Sequence, residues 1–427
     1  MTIQNIHDLF LKCSKVSIDT RKIEPNSFFV AIKGERFDAN TFAKEALEKG
    51  AGYVMIDNAA YYIDDRTILV EDSLKALQEL AQYHRNYLKL PIIALTGSNG
   101  KTTTKELINV VLSKKFKTVA TIGNLNNHIG VPLTLLSFTK ETEIGIVEMG
   151  ANHQKEIEFL CEIAQPDYGF VTNFGKAHLE GFGGVEGVIK GKSEMYAYLK
   201  ANVKSVFVNL DDEIQNSKTV DIKRFTFSQI DKTADVYIEE VTANPFVKIK
   251  SREIDIYSHL IGLYNANNIS AAITIGYYFG VSPMLVKQAI ESYIPENNRS
   301  QLLAKGTNEI ILDAYNANPS SMKVALENFI QLDKPNKVII IGDMYELGEE
   351  SLLEHKLIVD FLSQANSLDC HLVGKDFFAN AVENDFLHFY PTFEDFARYL
   401  STISFEHKTM LIKGSRGMAL ERTLEYL

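Results

Sequence analysis

Thr96-Gly97-Ser98-Asn99-Gly100-Lys101-Thr102-Thr103-Thr104 follows an apolar run, Pro91 to Leu95, and precedes Glu106-Leu-Ile-Asn-Val-Val-Leu112, which has helical spacing. Strand, glycine turn, lysine, hydroxyl and helix in that order predict a phosphate cradle. In such a turn the backbone N–H groups and the helix N-terminus face anionic oxygens. Lys101 adds a mobile positive charge, and Thr102 offers a hydroxyl to Mg²⁺. The general P-loop pattern asks for glycine where Leu95 stands. The bland alternative is a glycine turn with a surface lysine, but the strand before and the helix after favour the cradle. A nucleoside triphosphate is therefore the expected ligand.

Working outward, 427 residues are too many for one core, so two or three domains are expected. With 45% hydrophobic and 23% charged residues, the composition is that of an ordinary soluble globular protein. A net charge of −11 argues against nucleic acid as a partner. No apolar run approaches ~18 residues, so the chain is not expected to be embedded in a membrane. Met1 to Asp8 lacks the pattern of a signal peptide. Cys13, Cys161 and Cys370 are widely spaced and form no C-x-x-C, which suits a cytoplasmic setting without structural zinc.

Strands alternating with helices argue for an α/β chain with mainly parallel sheets. Three blocks are expected. Residues 1–86 read as a small α/β unit, with strands at 27–32, 52–56 and 67–70 and helices at 41–49 and 73–87. Residues 87–295 add strands at 143–148, 168–172 and 205–209, with phosphate at the strand C-termini. After the turn-rich stretch at 295–298, residues 296–427 read as a parallel, doubly wound, Rossmann-like unit. Its strands are expected at 309–313, 337–341, 370–373 and 409–413, and its helices at 320–330 and 351–363.

Several residues in this frame have chemistry to offer. Glu148 ends a strand on the phosphate-loop edge, where a carboxylate either ligates Mg²⁺ or is simply solvated. His178 lies just past another strand end, and most lone histidines are structural. Lys192 follows in a helical stretch, where a surface position is the default. Asn265 and Asn268 open an apolar helix; asparagines there are commonly caps, or they read an adenine edge. Arg299 and Asp313 flank the second block boundary, either reaching a nucleotide or forming a surface ion pair.

The motifs taken together resemble the Mur ligases, ATP-dependent amide-bond enzymes of peptidoglycan precursor synthesis. T-G-S-N-G-K-T is similar to that family's phosphate loop, which also lacks the first Walker glycine. Gly123-Asn-Leu-Asn-Asn-His-Ile-Gly-Val-Pro132, Asp313-Ala-Tyr-Asn-Ala-Asn-Pro-Ser-Ser-Met322, Gly342-Asp-Met-Tyr-Glu-Leu-Gly-Glu349 and Lys413-Gly-Ser-Arg-Gly-Met418 resemble the member that adds D-alanyl-D-alanine. Asp19-Thr-Arg21 and Phe28 to Gly34 look like a uridine-nucleotide unit.

The resemblance implies a monomer that joins D-alanyl-D-alanine to UDP-N-acetylmuramoyl-tripeptide, using ATP and two Mg²⁺ ions. It implies that the 1–86 unit binds the UDP-substrate, the 87–295 unit binds ATP, and the 296–427 unit binds the dipeptide and contacts ATP. It further implies that Thr96, Gly97, Ser98, Asn99, Gly100, Lys101, Thr102 and Thr103 hold phosphates. Thr102 and Glu148 would hold one Mg²⁺. Glu148, His178 and a CO₂-derived carbamate on Lys192 would hold the second. Lys190 is the rival for carbamylation, and the Ser-Glu-Met after Lys192 favours Lys192. Asn265, Asn268, Arg299 and Asp313 would contact ATP. Thr20, Arg21, Asn126 and Asn127 would contact the UDP-substrate. Tyr264 departs from the histidine common at its position, and Asp38-Ala-Asn-Thr-Phe42 departs from the usual D-G-x-x-F. A sibling ligase, a folylpolyglutamate synthase and a P-loop switch ATPase are the competing readings.

Overall fold

The structure is a computed structural model and describes residues 1–35, 37–296, 298–365 and 368–427. Asn297, in the expected boundary turn, lies outside the described residues. The chain is α/β, built on three sheets of four, nine and six strands.

The four-stranded sheet is parallel, in the order Val16–Ser17, Phe28–Val30, Tyr53–Ile56, Thr67–Leu69. Helix Ser73–Leu88 follows it. Asp72 caps this helix by accepting from the Lys75 N–H, and Lys89 ends it in a left-handed turn. Its buried stripe of Ala76, Leu77, Leu80, Ala81 and His84 recurs at helical spacing.

The nine-stranded sheet places Ile92–Thr96 between Tyr168–Val171 and Ile144–Glu148. Every residue of Ile92–Thr96 and Ile144–Glu148 is buried, as expected of parallel strands covered on both faces. The C-terminal ends of these three strands therefore open onto one edge, which is where an α/β sheet presents its ligand site. At the far side, Val236–Ala243, Phe246–Ser251 and Ile254–Ile261 form an antiparallel meander. The sequence reading placed no strands there. Phe246–Ser251 alternates buried and half-buried residues, the signature of one wet face.

The six-stranded sheet runs Gln301–Lys305, Asn308–Asp313, Thr409–Lys413, Lys337–Gly342, Asp369–Val373, Leu387–Tyr390. Its first strand is antiparallel to the second, which corrects the all-parallel expectation. The hairpin turns at Gly306, whose φ is 58°. One apolar cluster links the three units, running from Phe10 and Leu80 through Val147 and Leu199 to Met322 and Leu372.

Candidate active site

The phosphate loop leaves strand Ile92–Thr96 and enters helix Lys101–Leu112. Two glycines shape it. Gly97 has φ 141°, and a Cβ there would lie 2.0 Å from Thr172 Oγ1; Gly100 has φ 78°, and its Cβ would lie 2.5 Å from Asn268 Oδ1. Neither position has room for a side chain. Asn99 is fixed by its neighbours: its N–H donates to Asn173 Oδ1 at 3.0 Å, and its carbonyl accepts from Thr172 Oγ1 at 2.6 Å. Lys101 folds back, its Nζ donating to Gly97 O at 2.7 Å and Ser98 O at 3.2 Å. Burial pushes its pKa below the usual lysine range; the Glu148 carboxylate opposes that shift and Arg299 adds to it.

Glu148 ends the neighbouring strand and is 1% exposed. Its Oε1 accepts from Thr102 Oγ1 at 3.2 Å and from Asn126 Nδ2 at 2.8 Å. Its Oε2 is buried with no hydrogen-bond partner among the described residues. A carboxylate oxygen held in this state is costly unless a cation meets it. A threonine hydroxyl and a carboxylate are hard oxygen donors, so this pair fits Mg²⁺.

The loop, Glu148, His178, Asn265, Asn268, Arg299 and Asp313 line one cleft of about 790 Å³, together with Asn126 and Asn127. Thr20 and Arg21 are not brought into it: they sit in a short 3₁₀ turn, where Arg21 pairs with Asp19 at 2.8 Å. His178 hydrogen-bonds through Nδ1 to Glu346, a residue of the C-terminal unit. Asn265 and Asn268 do not act as side-chain caps. Asn268 accepts from Thr104 Oγ1 at 3.1 Å and donates to Asn265 Oδ1 at 2.9 Å, and Asn265 Nδ2 donates to Ile261 O at 2.8 Å. Arg299 and Asp313 do not pair. Asp313 Oδ2 meets Lys413 Nζ at 2.6 Å, while the Arg299 guanidinium lies 3.6 Å from the Tyr315 ring centroid. Arg299 Nε is buried without a partner among the described residues.

Profiles of three domains match in order: the Mur ligase family catalytic domain at residues 12–85, the Mur ligase middle domain at 95–276, and the Mur ligase glutamate ligase domain at 298–416. UDP-N-acetylmuramoyl-tripeptide–D-alanyl-D-alanine ligase of Bacillus subtilis is 33% identical over 422 residues, covering 96% of this chain and 92% of that one. The chain belongs to the Mur ligase family. The ligase of the same name from Escherichia coli is 33% identical, covering 96% of this chain and 93% of that one. Crystal structure I of MurF from Acinetobacter baumannii superposes with a TM-score of 0.86 at 30% identity, covering 99% and 97% of the two chains. MurF of Thermotoga maritima, solved with ADP, gives 0.84 at 27% identity, covering 98% and 97%.

In this Mur ligase the two candidate lysines differ sharply. Lys192 is 1% exposed, not the helix-surface lysine that was the default expectation, whereas Lys190 is exposed. The Lys192 Nζ donates to Ala151 O at 3.1 Å and lies 4.9 Å from the Phe182 ring centroid. Burial holds its pKa well below the usual lysine value, and the Lys101 charge lowers it further. Reading residues one by one missed several that the cleft contains or touches, among them Thr104, Asn173, Tyr315 and Lys413. Thr104, Tyr315 and Lys413 stood inside the quoted motifs, so chemistry at motif positions was the available signal. Asn173 had no signal beyond its place after a strand. No helix among the described residues is long and apolar enough to cross a membrane.

Proposed function

We propose that this Mur ligase joins D-alanyl-D-alanine to UDP-N-acetylmuramoyl-tripeptide, converting ATP to ADP and phosphate, in the cytoplasm. One observation carries the chemistry. The phosphate loop and Glu148 form one wall of a cleft whose other wall, with Arg299, Asp313 and Lys413, comes from beyond the 296 boundary. An activated acid and its nucleophile can meet there. The substrates follow from the names of the Bacillus subtilis and Escherichia coli relatives, which align over nearly the whole chain.

A carboxylate is a poor acyl donor because oxide would have to leave. Its oxygen attacks the γ-phosphorus, ADP departs, and an acyl phosphate forms. The free amine of D-alanyl-D-alanine adds to that carbonyl, sheds a proton, and expels phosphate to leave the amide. The protein's part is positioning and charge compensation. Lys101 and the amides of residues 96–103 hold the β- and γ-phosphates. Arg299 offsets charge on the approaching anions, Asp313 holds Lys413 at the cleft wall, and Asn265 and Asn268 shape the adenine side. Asn126 and Asn127, with Thr20 and Arg21 further off, contact the UDP-substrate.

Two Mg²⁺ ions, when bound, would screen the repulsion between the carboxylate and the γ-phosphate. Thr102 and Glu148 would hold one; Glu148, His178 and a carbamate on Lys192 would hold the other. Carbamate formation needs a neutral amine, and the depressed pKa of Lys192 supports that role. The added CO₂ turns a positive tip into a negative oxygen donor suited to a hard cation.

The test is a phosphate-release assay with magnesium-ATP and UDP-tripeptides ending in diaminopimelate or lysine, each with and without D-alanyl-D-alanine. Release is expected only when the dipeptide is present. Release without it would point to a P-loop switch instead.

A further inference from the structure

The segment 175–180 of the central unit carries His178, and the C-terminal unit grips it at several points. The Lys176 N–H donates to Ser320 Oγ at 2.8 Å. Lys176 Nζ pairs at 2.5 Å with Glu354, whose side chain is 7% exposed. His178 Nδ1 bonds the Glu346 carboxylate, and the Glu180 N–H reaches Glu346 O at 3.4 Å. Gly348 closes the contact, a Cβ there lying 3.2 Å from the Glu180 side chain.

The two partners of the histidine contact share a second feature. His178 has φ 54° and Glu346 has φ 62°. Both are non-glycine residues in the left-handed region, a conformation that persists only where the surroundings impose it. Two such residues facing each other across a seam suggest that their geometry is functional.

The chemistry of the contact is directional. A carboxylate only accepts, so Nδ1 of a neutral imidazole must carry the proton. The lone pair then stays on Nε2, which has no hydrogen-bond partner among the described residues, and His178 lines the cleft. A carboxylate behind a ligating histidine fixes its tautomer and ring orientation.

We propose that Glu346 is a positioning residue for His178. It holds the Nδ1–H tautomer and aims Nε2 at a divalent cation in the cleft. The inference rests on the reading of His178 as a magnesium ligand given above.

Four variants test it: Glu346→Ala, Glu346→Gln, Glu354→Ala and His178→Ala. Mn²⁺ binding is titrated by electron paramagnetic resonance, with a non-hydrolysable ATP analogue and UDP-tripeptide present and no turnover. Glu346→Ala is expected to weaken Mn²⁺ binding by about tenfold or more. Glu346→Gln is expected to lose less, because its amide oxygen still accepts from Nδ1–H. Glu354→Ala loosens the seam without touching His178, and a change below about twofold is expected there. The ¹⁵N shifts of His178 should report Nδ1–H in the wild type and a mixed tautomer in Glu346→Ala. Glu346 has a 54% exposed side chain, so truncation opens no core.

Equal weakening by Glu346→Ala and Glu354→Ala would reduce the contact to seam glue and overturn the proposal, as would an Nε2–H tautomer in the wild type. If His178→Ala removes one Mn²⁺ site while Glu346→Ala leaves that site intact, this inference alone fails. If His178→Ala changes nothing, the metal role of His178 fails and takes the inference with it.

Discussion

Glu148 and Lys192 meet the same obstacle from opposite sides. One is a carboxylate with an unpartnered oxygen in the interior, and the other is an amine buried beside a second amine. Groups kept in such settings tend to be functional, because burying an ionisable group costs stability. Lys192→Ala is expected to lower ligation at least about a hundredfold, with no recovery in bicarbonate, since the alanine cannot form the carbamate. Lys190→Ala should change the rate less than about twofold, because Lys190 is exposed and does not line the cleft that holds the phosphate loop. The phosphate-release assay reads both, and a normal rate for Lys192→Ala would remove the carbamate from the mechanism. Glu148→Gln keeps the shape but not the charge, so its deficit should lessen as Mg²⁺ is raised. A deficit insensitive to Mg²⁺ would argue against a metal role. Lys192 was readable in one respect. Gly187, Val188, Gly191, Lys192, Met195, Tyr196 and Leu199 are the buried stripe of helix Val185–Ala201, and Lys190 falls off it. The His178–Glu346 contact was not readable, since its partners lie 168 residues apart and no local spacing links them.

Among the elements, helix Ser73–Leu88 shows what local pattern reveals and what it hides. Its helical stretch at 73–87 was legible, but its second partner was not. His84 Nε2 bonds Phe138 O at 2.9 Å and Arg85 pairs with Asp167 at 2.8 Å, both in the central unit. His84 Nδ1 also meets His7 Nε2 at 2.9 Å, joining helix Ile3–Phe10 to the same seam. Phe10, Tyr83 and Tyr87 surround the pair, Lys140 lies over Tyr87, and Asp8 is the nearby carboxylate. Burial pushes His7 down to about 4, His84 lowers it further and Asp8 opposes; burial also lowers His84. A histidine with a depressed folded pKa binds its proton more readily in the unfolded chain. Stability should therefore fall as pH drops from about 6.5 towards 4 and level off below, losing up to about 3 kcal/mol from His7. His7→Phe should flatten that slope in denaturant titrations across this pH range; an unchanged slope would exclude the pair as its source. Two of the elements the sequence reading missed show why. The strands of the antiparallel meander are half polar, and Gln301–Lys305 is a short edge strand with no residue fully buried. Such strands are stabilised by neighbours rather than by their own pattern.

For the whole molecule, the seams are unequal. The C-terminal unit touches the phosphate loop itself, Asn318 Nδ2 donating to Asn99 Oδ1 at 2.7 Å, and it grips residues 176–180. Most of these contacts are polar side chains, which yield more readily than a core. The ligand-free protein should therefore scatter as a broader particle than this structure. An ATP analogue with UDP-tripeptide should shrink its radius of gyration towards this arrangement. Identical scattering with and without ligands would rule out closure. Asn318 also caps helix Pro319–Gln331. Asn318→Ala should cost about 1 kcal/mol of stability and also widen the ligand-free particle, which loss of the cap alone would not do.

Helix Ser73–Leu88 sets which joint is free to swing. Gln78, Gln82, His84 and Arg85 fasten it to the central unit along its length. The first and second lobes thus form a single lever arm, leaving the chain around residues 298–300 as the elbow. A dye pair on lobes one and two should keep one transfer efficiency throughout the reaction cycle, and a pair spanning the elbow should flicker between two.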